Sequence, residues 1–263
     1  MSWIMDKDQH ESRLNHLLQT GAFRDAKLPL GQSRRQFAHR ALKRWYKFNE
    51  GCDIITAERT WRQLKADMKG YDLPAPDPKA LVSYHSIPST PQTHLVLDPH
   101  GRILAYKFRV PLNLIATLAS SSEQLPPKSV QCQRRGHFEC SHFALWADSS
   151  PDLMMSSEYQ KQLPHSEAFL QANDKLYRWL GHQLRLLSPE LYCLYSRVDR
   201  HLGPSQHRLG GAWHGTVVNR QIGSSEDLRA HKEWKDWPKG LNAVVFWGDY
   251  TGGGLVAYNL GLF

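Results

Sequence analysis

The spacing of apolar residues changes period several times along the chain, and each change marks an element. A mixed polar and apolar stretch over about residues 10–20 predicts a short helix. From Ser33 onward, Phe37, Ala38, Ala41, Leu42, Trp45 and Phe48 fall on one face of a 3.6-residue period. Arg35, Arg40, Lys43, Arg44 and Lys47 cover much of the remainder. This pattern predicts a helix capped by Ser33 and ending near Phe48. A further helix is expected from a cap at Thr56 to about Met68, because Trp61, Leu64 and Met68 recur at i, i+3 and i+7.

Prolines then interrupt the pattern at Pro74, Pro76, Pro78, Pro88 and Pro91, which marks a connector. Beyond it, residues 93–98 and 102–108 read as the strands of a hairpin turned by Pro99, His100 and Gly101. Pro111 opens a helix to about Ser121. Residues 136–147 read as a strand, and a polar stretch to Pro164 reads as a loop. Phe169, Leu176, Leu180, Leu184 and Leu187 form one stripe and predict a single helix over 166–187, with Ser166 as its cap and Glu167 in the first turn. Pro189 starts another helix, to about Arg200. The last quarter is β-rich, with strands expected at 212–219, 229–233, 243–248 and 254–258 and a hairpin turn at Gly252–Gly254. Helices followed by a β-rich end predict an α+β architecture.

Composition narrows the class. The chain has 263 residues, of which 41% are hydrophobic and 22% charged, so a folded chain is expected rather than a disordered one. No apolar run approaches the ~20 residues that a membrane helix needs, and the first residues lack the basic-then-apolar order of a secretory leader. Four cysteines, Cys52, Cys132, Cys140 and Cys193, are too scattered for a disulfide framework. An intracellular location, nuclear or cytoplasmic, is the expectation. The formal net charge of +8 fits a nucleic-acid partner, since basic surfaces attract the phosphate backbone, and equally fits a protein that is simply basic.

Three groups of residues carry candidate chemistry. His231 and Glu233 lie two apart, and on an extended strand both point to one face and can reach one ion. Imidazole with carboxylate oxygen suits Fe(II) and similar divalent ions. The competing reading is a solvated, charged turn over residues 226–236. Cys132, His137, Cys140 and His142 offer zinc-ligand types at a spacing that matches no common finger or ribbon. A strand carrying a buried cysteine is the simpler reading there. The basic helix over 34–47 can face a phosphate backbone, with Trp45 and Tyr46 as stacking groups, or can turn those aromatics into the core.

The order His231-x-Glu233, Asp236, the apolar run Ala243–Trp247, then Gly248-Asp249-Tyr250 and Gly252–Gly254 resembles the 2-oxoglutarate/Fe(II)-dependent dioxygenase superfamily. The likeness is greatest to the fungal proteins allied to the TET/JBP nucleic-acid base oxygenases. It covers about residues 205–261, extends faintly over 90–150 and is absent before residue 70. Periodicity and the prolines predict a helical N-terminal region over 1–72 and a Pro-rich connector over 73–92, and the resemblance implies an oxygenase-like double-stranded β-helix (jelly-roll) barrel with inserted helices over 93–263. It also implies His231 and Glu233 as metal ligands, Asn219 lining the cosubstrate pocket, and Fe(II) and 2-oxoglutarate as cofactors. Glu233 stands where the family usually has Asp. The family's distal His and its 2-oxoglutarate-binding Arg are expected after Gly261, so the barrel is expected to be incomplete. His214, on the preceding strand, is a candidate substitute ligand or an ordinary strand-start histidine. The competing functional readings are an inactive remnant of the oxygenase fold and a basic nucleic-acid-binding protein.

Overall fold

The computed structural model describes residues 7–19, 28, 30–67, 86–87, 90–127, 131–133, 136–146, 154–201, 209–221, 240–249 and 255. The structure mixes helices with small sheets, which is compatible with an α+β architecture. By contact the chain divides into two units. The first comprises Met1–Glu50, Leu112–Pro127 and Cys140–Val218; the second comprises Gly51–Pro111, Lys128–Glu139 and Asn219–Phe263. No described helix is long and apolar enough to cross a membrane.

The first unit is mainly helical. Helix α1 spans Lys7–Gln19 and helix α2 spans Arg34–Phe48. Ser33 caps α2 through a capping box: its hydroxyl accepts the Gln36 N–H and the Gln36 side chain accepts the Ser33 N–H. The expected apolar face is the buried one, with Ala38, Ala41, Leu42 and Trp45 inside. Leu14 of α1 packs into it, flanked by Leu18, Phe37 and Tyr46. Trp45 is therefore core rather than a stacking platform, while Arg40, Lys43, Arg44 and Lys47 face solvent.

Helix α4 spans Leu112–Glu123, as the proline at its start predicts. The stretch expected to be a loop before Pro164 instead holds a two-residue strand, Met154–Met155, and a short helix α5 over Ser157–Lys161. Ser156 caps α5 by accepting the Tyr159 N–H. The single helix expected over 166–187 is two: α6, His165–Ala172, and α7, Asp174–Leu187, divided at Asn173. Helix α6 begins one residue before Ser166, and the buried Ser166 hydroxyl donates to the Tyr159 carbonyl instead of capping. The predicted stripe holds across the break: Phe169, Leu176, Leu180, Leu184 and Leu187 are all buried. Helix α8 runs from Pro189 to His201.

In the second unit, β1 (Asp53–Thr56) pairs in parallel with β2 (His94–Leu97), and β2 pairs antiparallel with β3 (Ile103–Lys107). The central β2 is buried at every position, as a strand flanked on both edges allows. The hairpin turn is organised by the buried Asp98 carboxylate. It accepts the N–H groups of His100 and Arg102 at 2.9 and 2.8 Å and of Trp61 at 3.1 Å. Gly101 adopts φ 75° within that turn, a conformation that side chains with a Cβ resist. Helix α3 covers Trp61–Asp67. Its cap is Thr60 with Gln63, not Thr56, which ends a strand.

A second sheet joins β4 (Gln131–Gln133), β5 (Gly136–Trp146), β6 (Met154–Met155) and β7 (Gly215–Gln221), with β5 pairing all three of the others. Neither sheet closes into a barrel among the described residues. The strand expected at 243–248 is not formed. Residues 240–247 carry no regular structure, and Val244 and Phe246 are exposed. An apolar run becomes a strand only where a neighbouring edge takes up its backbone groups. The expected strand 229–233, the proline connector and the Gly252–Gly254 turn lie outside the described residues, as does nearly all of the strand expected at 254–258.

Candidate functional site

The approach to the resemblance motif is built at the start of β7. Leu209 bridges Trp213 through a tight turn in which Gly210 and Gly211 have φ 62° and 78°. Any Cβ on Gly210 would run into the backbone of Tyr177 on α7, so glycine is required there on two counts. The turn delivers His214, whose carbonyl accepts the Leu145 N–H at 3.0 Å and whose ring lies edge-on to Tyr195 at 6.2 Å between centroids. At Gly215 the chain passes so close to Ala144 of β5 that a Cβ would meet that side chain at 2.5 Å.

Asn219 lies near the end of β7 with its side chain exposed. The next residue, Arg220, pairs with Glu139 of β5 at 2.6 Å, and both side chains are largely out of water at 21% and 8% exposure. His231 and Glu233 lie outside the described residues. Among the described residues no group of three or more His, Cys, Asp and Glu side chains is placed to hold a metal ion.

A different constellation is assembled on β5. Its residues alternate, with Ser141 and Phe143 buried and Cys140, His142 and Ala144 half-exposed. Phe143 anchors the strand against Tyr159 of α5 and Phe169 of α6, at 6.1 and 5.8 Å between ring centroids. On the other face, the Cys140 sulfur lies 3.5 Å from His142 Nε2 and 3.8 Å from Nδ1. Glu158, in the first turn of α5, places Oε2 3.0 Å from His142 Nδ1 and accepts the His142 backbone N–H at 2.7 Å. The Ser156 hydroxyl donates to the His142 carbonyl at 2.6 Å. His142 is therefore fixed at its N–H, its carbonyl and its ring.

Cys140 and His142 share a strand face, as the Cys-x-His spacing predicts, and Glu158 reaches the His142 ring. Cys132 and His137 are register partners in the β4–β5 ladder. Glu158 could not be found from spacing, because its segment reads as a polar loop. The one sequence signal was Ser156 two residues ahead of an acidic residue, a common helix start.

Burial raises the Cys52 thiol above its ordinary range, although a hydrogen bond with Tyr106 partly offsets this. Cys52, Cys140 and Cys193 are not in disulfides.

No protein-family model matches the chain, and comparison with curated proteins finds no match either.

Proposed function

We propose that the chain is a 2-oxoglutarate/Fe(II)-dependent dioxygenase-like protein acting on bases of nucleic acid. The observation that carries this reading is the residue order from Asn219 through His231-x-Glu233 to Gly248-Asp249-Tyr250. The β7 strand supports it, since Asn219, at the head of that order, lies on a strand paired in a sheet. Continuation of a jelly-roll fold through the segments after residue 221 is part of the same proposal.

The donor types fit the ion. His231 supplies an imidazole nitrogen and Glu233 a carboxylate oxygen, the pairing that non-haem Fe(II) accepts. Asn219 would orient the cosubstrate from β7 through its amide. The ion and 2-oxoglutarate together supply oxidative hydroxylation of a C–H bond, with release of succinate and CO2. This chain's residues would hold the pair and position the substrate. A base within a duplex must leave the stack to be reached, so single-stranded nucleic acid is the easier substrate.

The net charge of +8 and the solvent-facing Arg40, Lys43, Arg44 and Lys47 of α2 support a polyanionic partner. The same observation supports a second reading, a basic nucleic-acid-binding protein without metal chemistry. The test is succinate formation from 2-oxoglutarate with Fe(II), oxygen and a single-stranded oligonucleotide. Formation that depends on the oligonucleotide and is lost in His231→Ala supports the oxygenase. Salt-sensitive binding of the oligonucleotide with no succinate favours the second reading.

A further inference from the structure

We infer that the solvent face of α2 is a docking surface for duplex nucleic acid, which it holds by the phosphate backbone. The inference rests on the polyanionic-partner reading and makes it specific, and it uses none of the residues of the oxygenase motif.

The sequence of α2 sets the surface. Arg40, Lys43, Arg44 and Lys47 recur at i, i+3, i+4 and i+7, so they share one face, within an arc of about 100° and along roughly 10 Å of axis. All four are exposed, on the side away from the buried Ala38, Ala41, Leu42 and Trp45. The helix holds no carboxylate, and Glu50 comes only after it has ended. Arg35 is neutralised by Glu11 of α1 at 2.6 Å, whereas the four have no ion-pair partner among the described residues. Like charges one turn apart repel and weaken the helix that carries them. A bound polyanion removes that cost.

Three observations choose the polyanion. Binding a single strand by its bases needs exposed aromatic rings, and those of α2 are committed elsewhere. Trp45 is 4% exposed, and Tyr46 lies against Trp45 and His10 at 5.2 and 5.6 Å between ring centroids. A duplex asks for no stacking and offers one phosphate per ~1.7 Å of axis. Second, Gln36, four residues before Arg40, turns its side-chain carbonyl to the Ser33 N–H, so the face presents donors alone, which suits phosphate oxygens. Third, a helix lying on an anionic membrane buries its apolar side in the bilayer. That side of α2 is already packed with Leu14 and Leu18 of α1.

The test is a fluorescence-anisotropy titration of the intact chain with a short labelled duplex and with the matching single strand, in EDTA and without 2-oxoglutarate. Four phosphate contacts predict that log Kd rises with log salt at a slope of about 3.6, roughly a hundredfold weakening between about 50 and 200 mM. The duplex should bind more tightly than the single strand at equal phosphate concentration. Arg40→Gln, Lys43→Gln, Arg44→Gln and Lys47→Gln together should weaken duplex binding by about tenfold or more at low salt and lower the slope by about 3. Gln is a good helix former, so circular dichroism should be unchanged. A control with the exposed Arg62, Arg102, Arg109 and Lys161 changed to Gln has the same net charge and should keep the affinity of the unsubstituted chain. Should the α2 variant fail to fold, Arg40→Gln and Lys47→Gln singly should each lower the slope by about 0.9. Unchanged affinity in the folded α2 variants would overturn the inference. So would an equal loss in the control, tighter binding of the single strand, or displacement of the duplex by polyglutamate or phosphatidylserine vesicles at matched charge. Succinate formation judges the oxygenase reading separately, since this binding needs neither metal nor cosubstrate.

Discussion

Asn173 donates its side-chain amide to the Ser121 hydroxyl at 2.8 Å, joining the break between α6 and α7 to the last turn of α4. The same amide nitrogen reaches the Phe169 carbonyl at 2.8 Å, and the residue is 1% exposed. Asn173 thus stands between the two helices, and its side chain ties the end of α6 to a third helix. Replacing it with alanine leaves these acceptors without their donor inside the core. Asn173→Ala should cost about 1–3 kcal/mol, read as a lower urea midpoint with an unchanged slope. Asn173→Asp should cost more at neutral pH, because a buried carboxylate both removes the donor and carries charge. Its deficit should narrow as pH falls and the carboxyl protonates. Equal stability of the two variants at pH 7 would contradict this role.

Arg220 and Glu139 lie 2.6 Å apart with little exposure. Removing one charge strands the other away from water. Arg220→Met should therefore destabilise the second unit by about 3–5 kcal/mol. The double replacement Arg220→Met with Glu139→Leu should recover much of that loss, since two apolar groups leave no stranded charge. A double-mutant cycle on thermal unfolding checks it, and strictly additive effects would refute the coupling.

His10 and His39 join α1 to α2 through ring nitrogens 2.9 Å apart. Burial, and then the neighbouring charge of His39, hold His10 below the usual histidine range, with Glu11 opposing and Lys43 adding to the shift. The folded state thus resists protonation while the unfolded chain takes it up near pH 6.5. The unfolded state binds more protons as pH drops, so the stabilisation is present above that pH and is lost as pH falls through the lowered folded value. The chain should unfold at lower temperature at pH 5.5 than at pH 8, and His10→Gln should flatten that difference. An unfolding midpoint whose pH dependence is unaltered by His10→Gln would contradict the assignment.

Much of this fold is legible in the spacing of apolar residues. The Ser33 cap, the face from Ala38 to Trp45, the hairpin about Gly101 and the starts at Pro111 and Pro189 follow from local rules that packing leaves intact. The break at Asn173 does not. The interval from Phe169 to Leu176 is seven residues, so the stripe stays in phase across a residue that leaves the helix. Thr56 reads as a cap because a threonine before an apolar run fits either a cap or the end of a short strand. The Thr60–Gln63 pair decides it only when the hydrogen bonds are known. The run Ala243–Trp247 has strand propensity, but a strand depends on a partner edge that no local pattern supplies.

The candidate sites divide in the same way. Cys140 and His142 are legible as a same-face pair because strand period is local. Glu158 is sixteen positions from His142 and arrives through the β6–α5 corner, a tertiary event invisible to spacing. The His231-x-Glu233 motif is legible only as a pattern, since the identity of an ion depends on how many donors converge on it.

The measurement that bears most directly on the oxygenase proposal is an anaerobic Fe(II) titration of the chain with and without 2-oxoglutarate, following the visible metal-to-ligand charge-transfer absorption of the chelate. The proposal predicts that the band appears with the unsubstituted chain and is lost in both His231→Ala and Glu233→Ala. Absence of the band in the unsubstituted chain, or its persistence in both variants, would contradict it.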